Sequence, residues 1–209
     1  RLQPLITVVE EHERFTNRDE YNARDRDGDG VVDGRSTDPL VSDTDGDGLI
    51  DGIEVIGWKI RIVDFGVREV IVRSDPGVFD TDRDGLSDAE EYYETFTNAT
   101  DKDTDNDGLE DYRESVDGHP WYDNGTLVFY FTNASAFDTD NDGLEDGEEV
   151  VDGLDLFITH GNNADTDSDG LNDGKEVLFV PRPWQGATNP LLNDTDNDGQ
   201  PDGWEMQVF

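Results

Sequence analysis

The chain has 209 residues, 33% hydrophobic and 33% charged, with 53 Asp and Glu against 15 Lys and Arg and a formal net charge of -38. An apolar content so thin against a charge so large excludes an ordinary self-sufficient core, and the acidity excludes nucleic acid and anionic membrane as partners. Cysteine is absent, which removes disulfides and thiolate metal sites, and no apolar run approaches membrane-spanning length, so no membrane insertion is expected.

Residues 1–24 read as an N-terminal strand and linker. The chain opens Arg1-Leu2-Gln3-Pro4 without Met, the expectation being a processed form or a fragment. Leu5-Ile6-Thr7-Val8-Val9 is a short apolar strand. It serves either as an edge of the chain's own sheet or as a strand added to a neighbouring copy.

From residue 25 to 209 one pattern organises the chain: D-x-D-x-D-G-x-x-D-x-x-E, starting at Asp43, Asp80, Asp103, Asp138, Asp165 and Asp194. A seventh copy starts at Asp25 and ends in Ser36 in place of Glu. Six residues before each of the last six loops stands Ser or Thr: Thr37, Ser74, Thr97, Thr132, Thr159 and Thr188. An Asp, Asn or His follows, then Pro, Ala or Gly, so the unit is a lead-in turn, a spacer and a loop. Inserts of unequal length at 55–73, 115–131, 150–158 and 177–187 separate the units. Trp58, Ile60 and Ile62 alternate with Lys59 and Arg61, and Val70 and Val72 with Glu69, Ile71 and Arg73. That period of two predicts a hairpin around Asp64-Phe65-Gly66. A second hairpin is predicted from Trp121 to Phe131, turning at Asn124-Gly125. Short strands are predicted at Leu156-Phe157-Ile158 and Leu178-Phe179-Val180, and a helical turn or two from Asp88 to Phe96. The expected architecture is mostly irregular and β: an elongated array of calcium-binding loops, EF-hand-like but without the incoming helix, with short β-hairpin inserts.

The loop spells calcium chemistry. Calcium takes six to eight oxygen ligands in tolerant geometry, and alternate Asp residues in a tight loop can all face inward, with Gly at position 6 allowing the sharp turn. The expected ligands are the carboxylates at positions 1, 3, 5, 9 (directly or through water) and 12, and the carbonyl at 7. In chain order these are Asp25, Asp27, Asp29, Val31 and Asp33; Asp43, Asp45, Asp47, Leu49, Asp51 and Glu54; and Asp80, Asp82, Asp84, Leu86, Asp88 and Glu91. They continue as Asp103, Asp105, Asp107, Leu109, Asp111 and Glu114; Asp138, Asp140, Asp142, Leu144, Asp146 and Glu149; Asp165, Asp167, Asp169, Leu171, Asp173 and Glu176; and Asp194, Asp196, Asp198, Gln200, Asp202 and Glu205. Six loops hold five carboxylates each and the first holds four, so 34 of the 53 acidic residues sit at these positions and the remaining 19 nearly balance the 15 cations. The charge is gathered where cations would bind, and binding and folding are expected to be one event. The all-oxygen ligand set disfavours zinc and copper, and magnesium wants a smaller octahedral site. Seven or more Ca2+ ions are expected.

The loops satisfy the EF-hand pattern, but Thr37-Asp38-Pro39 and Thr188-Asn189-Pro190 stand where an incoming helix would lie. The sequence resembles instead the thrombospondin type 3 repeat, as in Asp43-Thr44-Asp45-Gly46-Asp47-Gly48-Leu49-Ile50-Asp51. That resemblance implies repeats with little regular structure wrapped around a line of calcium ions, in extracellular matrix proteins or in bacterial and archaeal surface proteins. It maps the ligands onto the Asp at 1, 3, 5 and 9 and the Glu at 12, and makes the Leu after the Gly an internal anchor. The absence of cysteine departs from the animal repeats and points to a prokaryotic surface protein.

Sequons stand at Asn98, Asn124, Asn133 and Asn193. The first three are expected glycosylation sites, and a glycan on Asn193 would crowd the ligand Asp194. His12, His119 and His160 are scattered and assemble no catalytic triad, and no enzyme activity is expected. Three roles compete. The first is a calcium-stiffened extracellular stalk or filament subunit, structural or adhesive, whose partner is itself through the N-terminal strand, or other surface proteins and glycans. The second is a calcium-dependent accessory region of a larger secreted enzyme or toxin. The third, a calcium buffer or sensor, lacks the paired helices that would open.

Overall fold

The structure, a computed structural model, describes residues 37, 40–123, 125–151, 157–178 and 188–207. The loop at 25–36, the strand at 5–9, Asn124 and the Phe179-Val180 part of a predicted strand lie outside these residues. The chain divides into two compact units. One runs to Ile62 and resumes over Val67–Thr104, and the other comprises Val63–Gly66 and everything from Asp105 onward.

Regular structure is sparse and follows the loops. α1 (Asp51–Ile56), α2 (Asp88–Glu90), α3 (Asp146–Val150), α4 (Asp173–Leu178) and α5 (Asp202–Gln207) each begin at position 9 of a loop. Ser87 caps α2 in a capping box with Glu90, each side chain reaching the other's backbone N–H. α2 runs on into a π-helical turn at Glu91–Thr95, which ends where Phe96 turns left-handed at φ 61°. The helical stretch expected from Asp88 to Phe96 is therefore present. A second π-helical turn, Arg113–Asp117, follows the loop at 103–114.

Both predicted hairpins form. β1 (Trp58–Val63) pairs with β2 (Val67–Val72), and β3 (His119–Asp123) pairs antiparallel with β4 (Thr126–Tyr130), His119 opposite Tyr130 and Asp123 opposite Thr126. The short strands predicted beyond them fare differently. Phe157 and Ile158 have no regular structure, and Leu178 closes α4. Three apolar residues in a row carry no period, and the loop upstream of Leu178 launches a helix that runs through it.

The first unit has a small apolar core: Leu49, Ile53, Trp58, Ile60, Ile62, Val72, Ala89 and Ala99, with Tyr92 edge-on to Trp58 at 5.4 Å. The alternation of β1 turns Trp58, Ile60 and Ile62 inward and Lys59 and Arg61 outward. In the second unit His160 stacks on Tyr130 at 4.0 Å, with Trp121 edge-on to it at 5.1 Å. The Leu at position 7 is buried in five loops (Leu49, Leu86, Leu109, Leu144, Leu171). The third residue of each described lead-in turn is buried as well: Pro76, Ala99, Ala134, Gly161 and Pro190.

Candidate metal centres

The described loops fold by binding their own backbone with their carboxylate oxygens. The Asp at position 1 takes the N–H of position 6 on one oxygen and that of position 4 or 5 on the other, as in Asp43 with Gly46 (2.7 Å) and Gly48 (3.2 Å), Asp80 with Arg83 (2.6 Å) and Gly85 (3.2 Å), and Asp165 with Asp169 (3.1 Å) and Gly170 (3.0 Å). Position 3 takes the N–H of position 5, and position 5 that of position 7, the latter at 2.6–3.0 Å from Leu49 to Gln200. To close so tightly the chain turns left-handed twice. One turn is at the Gly of position 6; the other is at position 4, where Arg83, Asn106, Asn141, Ser168 and Asn197 all have φ between 59° and 66°.

The carboxylates of positions 1, 3 and 5 converge in Asp43–Asp45–Asp47, Asp80–Asp82–Asp84, Asp103–Asp105–Asp107 and Asp138–Asp140–Asp142, one oxygen of each lying within 4.8 Å of the others. The Glu of position 12 joins them from the following helix or π-turn. Glu54, Glu91, Glu114 and Glu149 are fully buried and Glu176 nearly so. Burial and the carboxylates at positions 3 and 5 push these carboxyls far up, to about 9 for Glu54 and Glu149, about 10 for Glu91 and Glu114, and about 8 for Glu176. The Asp of position 3 is raised to about 6 in four loops, first by burial and then by its acidic neighbours.

Position 9 has a task the sequence did not reveal. Its two oxygens accept the N–H and hydroxyl of the Thr at position 2: Asp51 from Thr44, Asp88 from Thr81, Asp146 from Thr139, Asp173 from Thr166, and Asp202 from Thr195. The same Thr hydroxyl accepts the backbone N–H one residue past the lead-in Ser or Thr, from Asp75, Asn98, Asn133, His160 and Asn189. Position 9 thus clamps the loop to its own lead-in turn. It also approaches the loop before it: Asp146 lies within 4.8 Å of Asp107 and Glu114.

The donor set fits a hard cation. One oxygen each of Asp45, Asp82, Asp140 and Asp167, and Oε2 of Glu54, Glu91, Glu114 and Glu149, are buried without a hydrogen-bond partner, a costly arrangement among like charges unless a cation shares the space. All are carboxylate oxygens, the ligands calcium prefers.

A family model described as Bacterial TSP3 repeat matches residues 43–56, 80–92, 103–118, 138–153, 165–178 and 194–208. The chain carries six TSP3 repeats of the bacterial type. The six matches start at the six complete loops; the variant loop at 25–36 is not among them. TSP3 repeats are calcium-binding structural repeats, typically extracellular. No curated protein and no solved structure matches the chain. Among the described residues no helix is long and apolar enough to cross a membrane.

Proposed function

We propose that this TSP3-repeat chain is a calcium-stiffened structural or adhesive module of an extracellular surface, a stalk or filament subunit, with no catalytic role. The observation that carries it is the recurrence, in loop after loop, of converging carboxylates with a buried oxygen such as Oε2 of Glu54, Glu91, Glu114 and Glu149 left without a hydrogen-bond partner, in a chain with a net charge of -38 and little apolar core. Positions 1, 3, 5, 9 (directly or through water) and 12, with the carbonyl of position 7, hold the ion in each complete loop, and the loop at 25–36 does so without position 12, seven ions or more in all. Calcium supplies positive charge, and the chain's residues supply its order. Asp at 1, 3 and 5 also shape the loop through the backbone N–H groups they accept. The Leu of position 7 anchors the loop to the interior, and the Thr–Asp clamp fixes its ends. Extracellular calcium modules bind at about 0.1–1 mM, so the chain is rigid outside a cell. Association with further copies runs through the apolar strand at 5–9.

Negative-stain microscopy with light scattering tests this in about 5 mM calcium and after chelation. Filaments that disperse on chelation are expected. Monodisperse particles of one size in both conditions would refute the self-associating part. Unchanged hydrodynamic radius and circular dichroism on chelation would refute stiffening by calcium altogether.

A further inference from the structure

In four loops the last carboxylate is held by the repeat that comes after it. Glu54 Oε1 accepts the hydroxyl of Ser74 at 3.0 Å, Glu91 that of Thr97 at 3.1 Å, Glu114 that of Thr132 at 2.9 Å, and Glu149 that of Thr159 at 3.0 Å. Each donor is the lead-in residue of the next loop, 20, 6, 18 and 10 residues downstream. The hydroxyl occupies one Glu oxygen and leaves Oε2, buried and without a hydrogen-bond partner, facing positions 3 and 5. Position 5 is gripped from the same direction. Its second oxygen accepts the position-10 N–H of the following loop, Asp47 from Ala89, Asp142 from Gly174 and Asp169 from Gly203, each at 2.8 Å.

A lead-in turn meets its own loop through a backbone N–H given to the position-2 Thr, as His160 does to Thr166, and Ser74 also bonds Asp88 of its own loop. The backbone bond does not depend on the lead-in hydroxyl.

We propose that the lead-in Ser or Thr is a positioning residue for the calcium site of the preceding loop, so that each repeat sets the affinity of the site before it and not its own. This rests on the calcium reading above. A Glu side chain free to turn about its own bonds loses order when it binds an ion. A hydroxyl that holds Oε1 beforehand fixes the rotamer and favours the ionised form.

The test is a calcium titration of the full chain followed by amide NMR. Gly143 reports the loop at 138–149 and Gly170 the loop at 165–176, in the native protein, Thr159→Val and Thr159→Ser. Partners that orient metal ligands typically change affinity on the order of 10–100-fold. Thr159→Val should weaken the site at Gly143 by about that factor, leave Gly170 within about twofold, and be rescued by Thr159→Ser. Equal weakening at both glycines, weakening at Gly170 alone, or no change at either would overturn the proposal. Should Thr159→Val not fold, Thr97→Val read at Gly85 and Gly108 carries the same comparison. Native Gly143 and Gly170 amides that ignore calcium would instead sink the calcium reading itself, an outcome distinct from the others.

Discussion

Gly147 sits at position 10 of its loop, second in α3, where alanine would ordinarily help a helix by about 1 kcal/mol. Here it should hurt. A Cβ built on Gly147 would lie 2.1 Å from the carbonyl oxygen of Asp107 and 3.0 Å from its carbonyl carbon. The obstacle is backbone of the preceding loop, which cannot rotate aside as a flexible side chain could. Relief requires α3 and the 103–114 loop to separate, pulling Asp146 away from Asp107 and Glu114. Overpacking typically costs about 1–3 kcal/mol, occasionally more. Set against the propensity gain, Gly147→Ala should destabilise the calcium-loaded protein by up to about 2 kcal/mol, with Tm falling by about 2–4 °C for each. The sister position Ala89 carries a Cβ without hindrance, 3.8 Å from the one an alanine at Gly48 would add. Ala89→Gly should therefore also destabilise, by about 1 kcal/mol through helix propensity and further through loss of a buried methyl. Thermal unfolding by circular dichroism in excess calcium measures both. A Gly147→Ala protein that melts higher than the native one would refute the close approach of consecutive loops.

Three further outcomes are expected. Arg83, left-handed where loop 43–54 has Gly46, should be relieved by Arg83→Gly, which raises stability by about 1 kcal/mol in chemical denaturation; a loss would show that the Arg83 side chain matters more than its backbone. Thr139→Val removes a hydroxyl bond to Asp146 and should cost about 1.5–3 kcal/mol, read as a shift of the denaturation midpoint at constant slope. The buried Glu carboxyls, raised to about 8–10, hold protons more tightly folded than unfolded, so in chelator their contribution is complete below about pH 4.5 and is lost as pH rises through 8–10. The calcium-free protein should melt higher at pH 6.5 than at pH 9, and calcium added at pH 7 in weak buffer should release protons. A calcium-free melting temperature that rises with pH would contradict this.

The loops, their left-handed Gly and both hairpins were legible because each carries a local period: five carboxylates at fixed offsets, alternation in Trp58–Val63, and Gly125 in a tight turn. What the sequence hid is the partnership between repeats. The lead-in Ser or Thr was visible as a regularity, yet its partner, the Glu of the previous loop, lies at a different distance each time, so spacing could not expose it. Other signals went unread. Thr stands at position 2 in all six complete loops, small residues dominate position 10, and Asn recurs at position 4, where the left-handed turn falls. Position 9 reads in the sequence as one more ligand; the geometry adds a second task, both its oxygens accepting from the Thr of position 2. At Leu178, the described residue of the strand predicted at 178–180, three apolar residues without a period are too few to outweigh the helix starting at Asp173.

The hydroxyl-to-Glu bond is the same whether 6 residues or 20 separate its ends. Closing a loop three times longer costs only about 1 kcal/mol more, so what lies between the two anchors is nearly free to change. The β1–β2 and β3–β4 hairpins occupy two of these intervals, and their exposed faces already differ. The loops are thereby separated from the surface the molecule displays: the bonds that join one to the next are fixed, while the intervals between them can be lengthened, diversified or replaced by a foreign peptide, provided the inserted segment returns its ends to the same two residues.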